Sequence, residues 1–317
     1  MLPSFLSSLS AVPKHPGVAV QNAVFIHEKP LGQVHCLWWP PKDGSKPPET
    51  VVLFIPGNPG LVEFYTPFLS ALHGKDTSSR LAILAHAHLN HTPLPSIRLN
   101  AVVHSLTAQV QSAIEAFDAL RSEFGSNTKL VLVGHSVGSW ISIQVLKARK
   151  DAVAGAFLLF PTISYIGDTP NGRKLSRIFT PFPRRIISSL GHIAGLIPVC
   201  VLSLLFREWP TSQLHVLSDL ICSPSAIEAT LSMANDEMNT IKELDLPLLQ
   251  ECKDKLYFYY ADRDDWVGEE KDRVLKALHP NQEVLSVVHD THGVPHAFCI
   301  NHGDHLAEQC FSWLQRI

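Results

Sequence analysis

Apolar positions along this 317-residue chain fall into short unbroken runs that alternate with stretches of helical spacing. Residues 51–55 form one such run and stop at Pro56-Gly57, the pattern of a strand buried on both faces. Residues 81–85, 130–133 and 154–160 repeat it. Between them, residues 61–72, 101–124 and 137–150 carry apolar side chains at helical spacing, the longest closing at Gly125. Upstream, residues 17–27 and 33–39 are β-rich and flank a Lys29-Pro30-Leu31-Gly32 turn, which predicts a hairpin. A Pro- and Lys-rich, linker-like stretch over residues 40–49 follows it.

Strands alternating with helices in this way predict an α/β class with a parallel sheet covered on both faces. The alternation breaks between residues 161 and 256, where no buried strand can be read. It resumes with residues 256–260 and 284–288, separated by a helix over 271–278 and closed by another over 302–315. Connections in such sheets take only a handful of residues. The middle segment therefore reads as an insertion, residues 162–250, within a single domain spanning 17–317. Residues 1–16 lack the positive start and long apolar centre of a signal peptide and read as a short lead-in.

Composition narrows the function classes. With 45% hydrophobic and 17% charged residues the chain is not a disordered one. A net charge of −3 offers no broad basic field for nucleic acid. Six cysteines without close pairs exclude a disulfide scaffold and a zinc ribbon. No phosphate-binding glycine motif follows a strand, so no nucleotide cofactor is expected.

The charge is uneven. Residues 161–210 hold six basic side chains against two acidic ones, leaving +4 there and −7 elsewhere. Within them, residues 186–206 are uncharged and flanked by Arg184, Arg185 and Arg207. The stretch is just long enough to span a bilayer, but Ser188, Ser189, His192, Ser203 and a central Pro198 weaken a spanning helix. The expectation is a lid over an acyl pocket, acting as a lid alone or also dipping shallowly into a lipid monolayer.

Candidate chemistry centres on Gly134-His135-Ser136-Val137-Gly138, which joins a buried strand directly to a helix. A serine on so sharp a turn is lifted above the sheet, and glycines two positions either side let neighbouring backbone pass closely. Its hydroxyl needs a base, and the base an orienting carboxylate. Of Asp262, Asp264 and Asp265 after the run 256–260, Asp264 stands where the loop should turn back towards the serine. His289, His292 and His296 are all possible bases by order, with His296 anchored beside Ala297-Phe298; His302 and His305 are expected to face solvent. The loop Pro56-Gly57-Asn58-Pro59-Gly60 should supply a backbone donor to an oxyanion, and Pro59 has no N–H, so Asn58 pairs with Val137 in that role. His86, His88 and His91 lack a carboxylate at ligand spacing and are expected to line a polar pocket; no metal site is expected.

The loop Pro56 to Gly60 with Glu63-Phe64-Tyr65, the Gly134 to Gly138 turn, Asp264-Asp265-Trp266 and Pro295-His296-Ala297-Phe298 together resemble the lipid droplet-associated hydrolase family. The motifs run from about residue 50 to the C-terminus. The resemblance implies an α/β-hydrolase fold, a mostly parallel sheet flanked by helices, with a nucleophile at Ser136, an acid at Asp264 and a base at His296. It also implies association with lipid droplets and the cytosolic face of the endoplasmic reticulum, with sterol esters among the substrates. Ala261 and Gly268 depart from the family pattern, which commonly has glycine and proline there.

The expected function is a lid-bearing serine esterase that acts on a hydrophobic ester at a lipid surface, contacted through residues 186–206. Two other readings share these residues. One is a droplet-binding or structural protein with a weakly used triad. The other is an acyltransferase or thioesterase, in which a different nucleophile releases the acyl group.

Overall fold

The computed structural model describes residues 1–9, 20–94, 97, 105–195, 197–278 and 286–317. Its strands are β1 (Leu6–Ser8), β2 (Gln21–Ile26), β3 (Gln33–Trp39), β4 (Thr50–Ile55), β5 (Leu81–His86), β6 (Lys129–His135), β7 (Val153–Leu159), β8 (Leu256–Tyr260) and β9 (Ser286–His289). They form one sheet in the order β1-β2-β3-β5-β4-β6-β7-β8-β9. From β5 to β9 all neighbours are parallel, because every connection passes through helical segments on the faces. The unbroken apolar runs are the strands buried on both sides: β4 and β5 carry almost no exposed position. The chain places β5 on one flank of β4 and β6 on the other, so the loops after β4 and β6 open at the point where strand order reverses. That crevice is where a site on such a sheet belongs.

The predicted hairpin is β2 and β3, antiparallel with Ile26 opposite Gln33. Its residues 17–19, like 101–104 of the long helix and 284–285 of the last strand, lie outside the described residues. The lead-in differs from expectation, since Leu6–Ser8 add an edge strand with Leu6 opposite Phe25. Three residues are too few to reveal alternation in a sequence.

On the faces lie α1 (Thr66–Lys75), α2 (Leu106–Phe124) and α3 (Val137–Ala148). Ser105 caps α2, its hydroxyl accepting from the Ala108 N–H at 3.2 Å. The stretch 61–72 divides into a single tight 3-10 turn, Val62–Tyr65, and α1, with Pro67 in the first turn of the helix.

Between β7 and β8 the described residues contain helices and no strand: α4 (Pro170–Leu175), α5 (Pro181–Ala194), α6 (Val199–Leu205), α7 (Thr211–Ile221), α8 (Pro224–Thr240) and α9 (Leu246–Glu251). Helix α5 turns its large apolar side chains outward. It buries Ser188 and Gly191 and leaves Phe182, Ile186, Leu190 and Ile193 between 50% and 77% exposed. Leu204 and Leu205 of α6 extend this face. A helix normally buries its apolar stripe. Here Arg184 ties α5 to α8 by donating to Glu228 at 2.7 Å, while Arg185 and Arg207 are exposed. No helix among the described residues is long and apolar enough to cross a membrane. After β8 come α10 (Glu270–Leu278) and, at the end of the chain, α11 (Gly303–Leu314).

Candidate active site

Ser136 joins β6 to α3 with φ 54° and ψ −122°, a left-side conformation that side-chain-bearing residues rarely adopt. The flanking glycines are steric necessities. A Cβ on Gly138 would lie 2.2 Å from the Ile55 carbonyl oxygen, and one on Gly134 would lie 2.4 Å from that of Gly138. The turn thus packs against the end of β4 and presents Ser136 at the crevice.

His296 Nε2 lies 3.0 Å from Ser136 Oγ, and His296 Nδ1 donates to Asp264 Oδ2 at 2.7 Å. The other carboxylate oxygen of Asp264 accepts the Trp266 N–H at 2.9 Å, which fixes the carboxylate plane. Asp262 and Asp265 are exposed, as are His289 and His292. Of the candidates read from sequence, the structure brings together Ser136, Asp264 and His296. Gly268, two residues after Trp266, has φ 56°, which the ring of the expected proline would forbid.

Val137, the first residue of α3, and Asn58 flank the serine. Among the described residues neither backbone N–H meets an acceptor, and Val137 stands at a helix N-terminus, where such groups are left free. Asn58 borders a cavity of about 190 Å³ together with Ser136 and His296. The loop carrying Asn58 is braced from behind: His88 Nε2 donates to the Pro56 carbonyl at 3.0 Å and His91 Nδ1 to that of Pro59 at 2.7 Å. Those two histidines hold the loop. His86 Nε2 lies 3.1 Å from His27 Nε2.

Two further groups were not singled out from sequence. His135 is buried, and its Nε2–H donates to the His296 carbonyl at 2.9 Å. A carbonyl only accepts, so Nε2 carries the proton. Nδ1 therefore takes the Tyr65 hydroxyl at 2.7 Å, and Tyr65 in turn accepts from the Gly57 N–H at 3.1 Å. Burial holds His135 well below the usual imidazole range, so it stays neutral in this chain of bonds. The second group is Glu237 of α8, whose Oε1 accepts from Asn58 Nδ2 at 2.8 Å. Its partner is 179 positions away, beyond any local pattern. His135 sat in plain view inside the serine motif.

At the C-terminal side, His305 is half-buried rather than solvent-facing. Its Nε2 lies 3.0 Å from the Tyr259 hydroxyl, which donates to Asp290 at 2.7 Å. Among the described residues Asp290, His292 and His305 bring one metal-capable atom each to within 4.8 Å of one another.

The family described as lipid-droplet associated hydrolase matches residues 48–299. Proteins named lipid droplet-associated hydrolase are 30% identical over 285 residues in Homo sapiens (83% of this chain, 84% of that one) and 29% over 290 in Mus musculus (86% of each). Among solved structures the fold is shared with a haloalkane dehalogenase from Agrobacterium tumefaciens (TM-score 0.65, 14% identity, 95% of this chain and 98% of that one). It is also shared with a thermophilic esterase from Thermogutta terrifontis (TM-score 0.60, 14% identity, 93% and 98%). At such identities the structures establish the α/β-hydrolase fold and leave the reaction open. The family match covers most of the chain and includes every motif around Ser136: the chain belongs to the lipid droplet-associated hydrolase family.

Proposed function

We propose that this protein is a serine hydrolase of hydrophobic carboxylic esters that works at a lipid surface. The observation carrying this reading is the bonded series Ser136 Oγ, His296, Asp264, with distances of 3.0 and 2.7 Å, on a strained strand-to-helix turn. In the proposed reaction His296 Nε2 takes the Ser136 proton as the oxygen attacks the ester carbonyl. Asp264 holds the ring and stabilises its cationic form. The free N–H groups of Val137 and Asn58 receive the oxyanion. His296 then returns the proton to the departing alcohol, and water, activated by the same ring, releases the acid.

The inverted helix α5 supports the choice of surface. An apolar row of Phe182, Ile186, Leu190 and Ile193, continued by Leu204 and Leu205, fits the boundary between headgroups and acyl chains. A droplet monolayer, or the cytosolic leaflet of the endoplasmic reticulum, offers that boundary. The droplet association in the relatives' name agrees with it. The helices between β7 and β8 would then serve both as contact face and as lid, since α8 lines the cavity at Ser136. Hydrolysis of an emulsified ester tests the reading. Wild-type protein should release fatty acid and Ser136→Ala should release none above background; equal rates would overturn it.

A further inference from the structure

Two cavities share Asn58, Trp266 and His296 in their walls, only the second of them reaching Ser136, and they differ in chemistry. One, of about 230 Å³, is walled by Phe64, Trp209, Leu217, Leu220 and Ile300, which suits a hydrocarbon chain. The other, of about 190 Å³, is also largely apolar but contains the carboxyl of Glu237. That carboxyl is 4% exposed and has no cationic partner among the described residues. Its Oε1 accepts from Asn58 Nδ2 at 2.8 Å, while the second Nδ2 hydrogen goes to the Thr230 carbonyl at 3.0 Å. Oε2 meets no hydrogen-bond partner among the described residues. Asn58 Oδ1 and Thr230 Oγ1, on the same wall, are fully buried without one. A cavity made only to hold hydrocarbon would not retain two such atoms beside an unpartnered carboxyl oxygen, because each unmet polar group is costly.

We infer that Glu237 forms a subsite for a free hydroxyl, so that the preferred substrate is a lipid ester with an unesterified alcohol close to the scissile bond. A partial glyceride has that chemistry; a sterol ester or a fully esterified lipid does not. The inference rests on Ser136 marking the scissile position. A hydroxyl suits the site in either protonation state of the carboxyl. It accepts from the protonated acid, which burial favours by raising the group to about 8, and donates to the carboxylate above that. Asp236, next along α8, opposes ionisation of Glu237, and His296 faces it across the cavity.

Binding to the Ser136→Ala protein tests this without turnover. By calorimetry, 1-octanoylglycerol should bind about tenfold or more tightly than methyl octanoate. Glu237→Met should collapse the ratio, and Glu237→Gln, which keeps hydrogen-bonding atoms, should preserve most of it. If Glu237→Met does not fold, methylating both hydroxyls of the ligand asks the same question of the unaltered site. Equal affinities, an unchanged ratio in Glu237→Met, or no binding of the glyceride would overturn the inference. Absence of Ser136 labelling by a fluorophosphonate in the wild type would instead sink the hydrolase reading and leave the binding ratio standing.

Discussion

His135 Nε2 donates to the main-chain carbonyl of His296 at 2.9 Å, so the residue before the proposed nucleophile holds the backbone of the proposed base. Through Tyr65 and Gly57 the same network reaches the loop that carries Asn58. Replacing His135 by phenylalanine keeps a ring of similar size but removes the donor. We expect kcat to fall by about ten- to hundredfold with KM changed by no more than about twofold, because orientation is lost and binding is not. Tyr65→Phe should cost less. Steady-state kinetics on a soluble ester decide; a loss confined to KM would contradict the positioning role.

Asp264→Asn preserves shape but accepts poorly from His296 Nδ1 and favours the wrong tautomer. A fall in kcat/KM of about 10³-fold or more is expected, with little change in melting temperature. Asp262→Asn and Asp265→Asn alter exposed neighbours and should stay within about twofold of wild type.

Glu237 makes stability depend on pH. Its carboxyl is raised from 4.5 to about 8 by burial, so the folded protein keeps a proton that the unfolded chain releases above pH 4.5. The stability contributed by the neutral acid is complete below pH 4.5 and is lost as pH rises towards 8, at most about 1.4 kcal/mol per unit. Glu237→Gln has no such loss. Its melting temperature relative to wild type should therefore rise between pH 5.5 and pH 8; a constant difference would show that the group does not titrate in this range.

Three outward residues of α5 test the contact face. Replacing Phe182, Leu190 and Ile193 by serine removes side chains that are 54% to 77% exposed, so folding should be nearly unaffected. Flotation with phospholipid-coated triacylglycerol droplets should drop by about 10³-fold, since each of the three large apolar side chains contributes about 1.5 kcal/mol or more when buried. Undiminished flotation would move the contact elsewhere.

Much of the sheet was legible because a strand buried on both faces must be apolar along its length, as residues 51–55 of β4, 81–85 of β5 and 130–133 of β6 are. The serine turn was legible because its glycines answer to contacts within the motif and with β4. What stayed hidden is carried by long-range pairs. Nothing near Asn58 announces that its amide will meet Glu237, and nothing near Arg184 announces Glu228. The face of α5 was half visible: the uncharged stretch 186–206 stood out, but which side points outward depends on how α5 rests on α8. Leu6–Ser8 escaped because an edge strand needs only one partner and few residues.

The central claim is that Ser136 is a nucleophile activated by His296. Treating the full-length protein with a fluorophosphonate and mapping the adduct by peptide mass spectrometry tests it most directly. A single modified serine is expected, Ser136, labelled at least about 10²-fold more slowly in His296→Ala and not at all in Ser136→Ala. A protein whose labelling is unchanged by Ser136→Ala, or whose Ser136 reacts equally fast without His296, would contradict it.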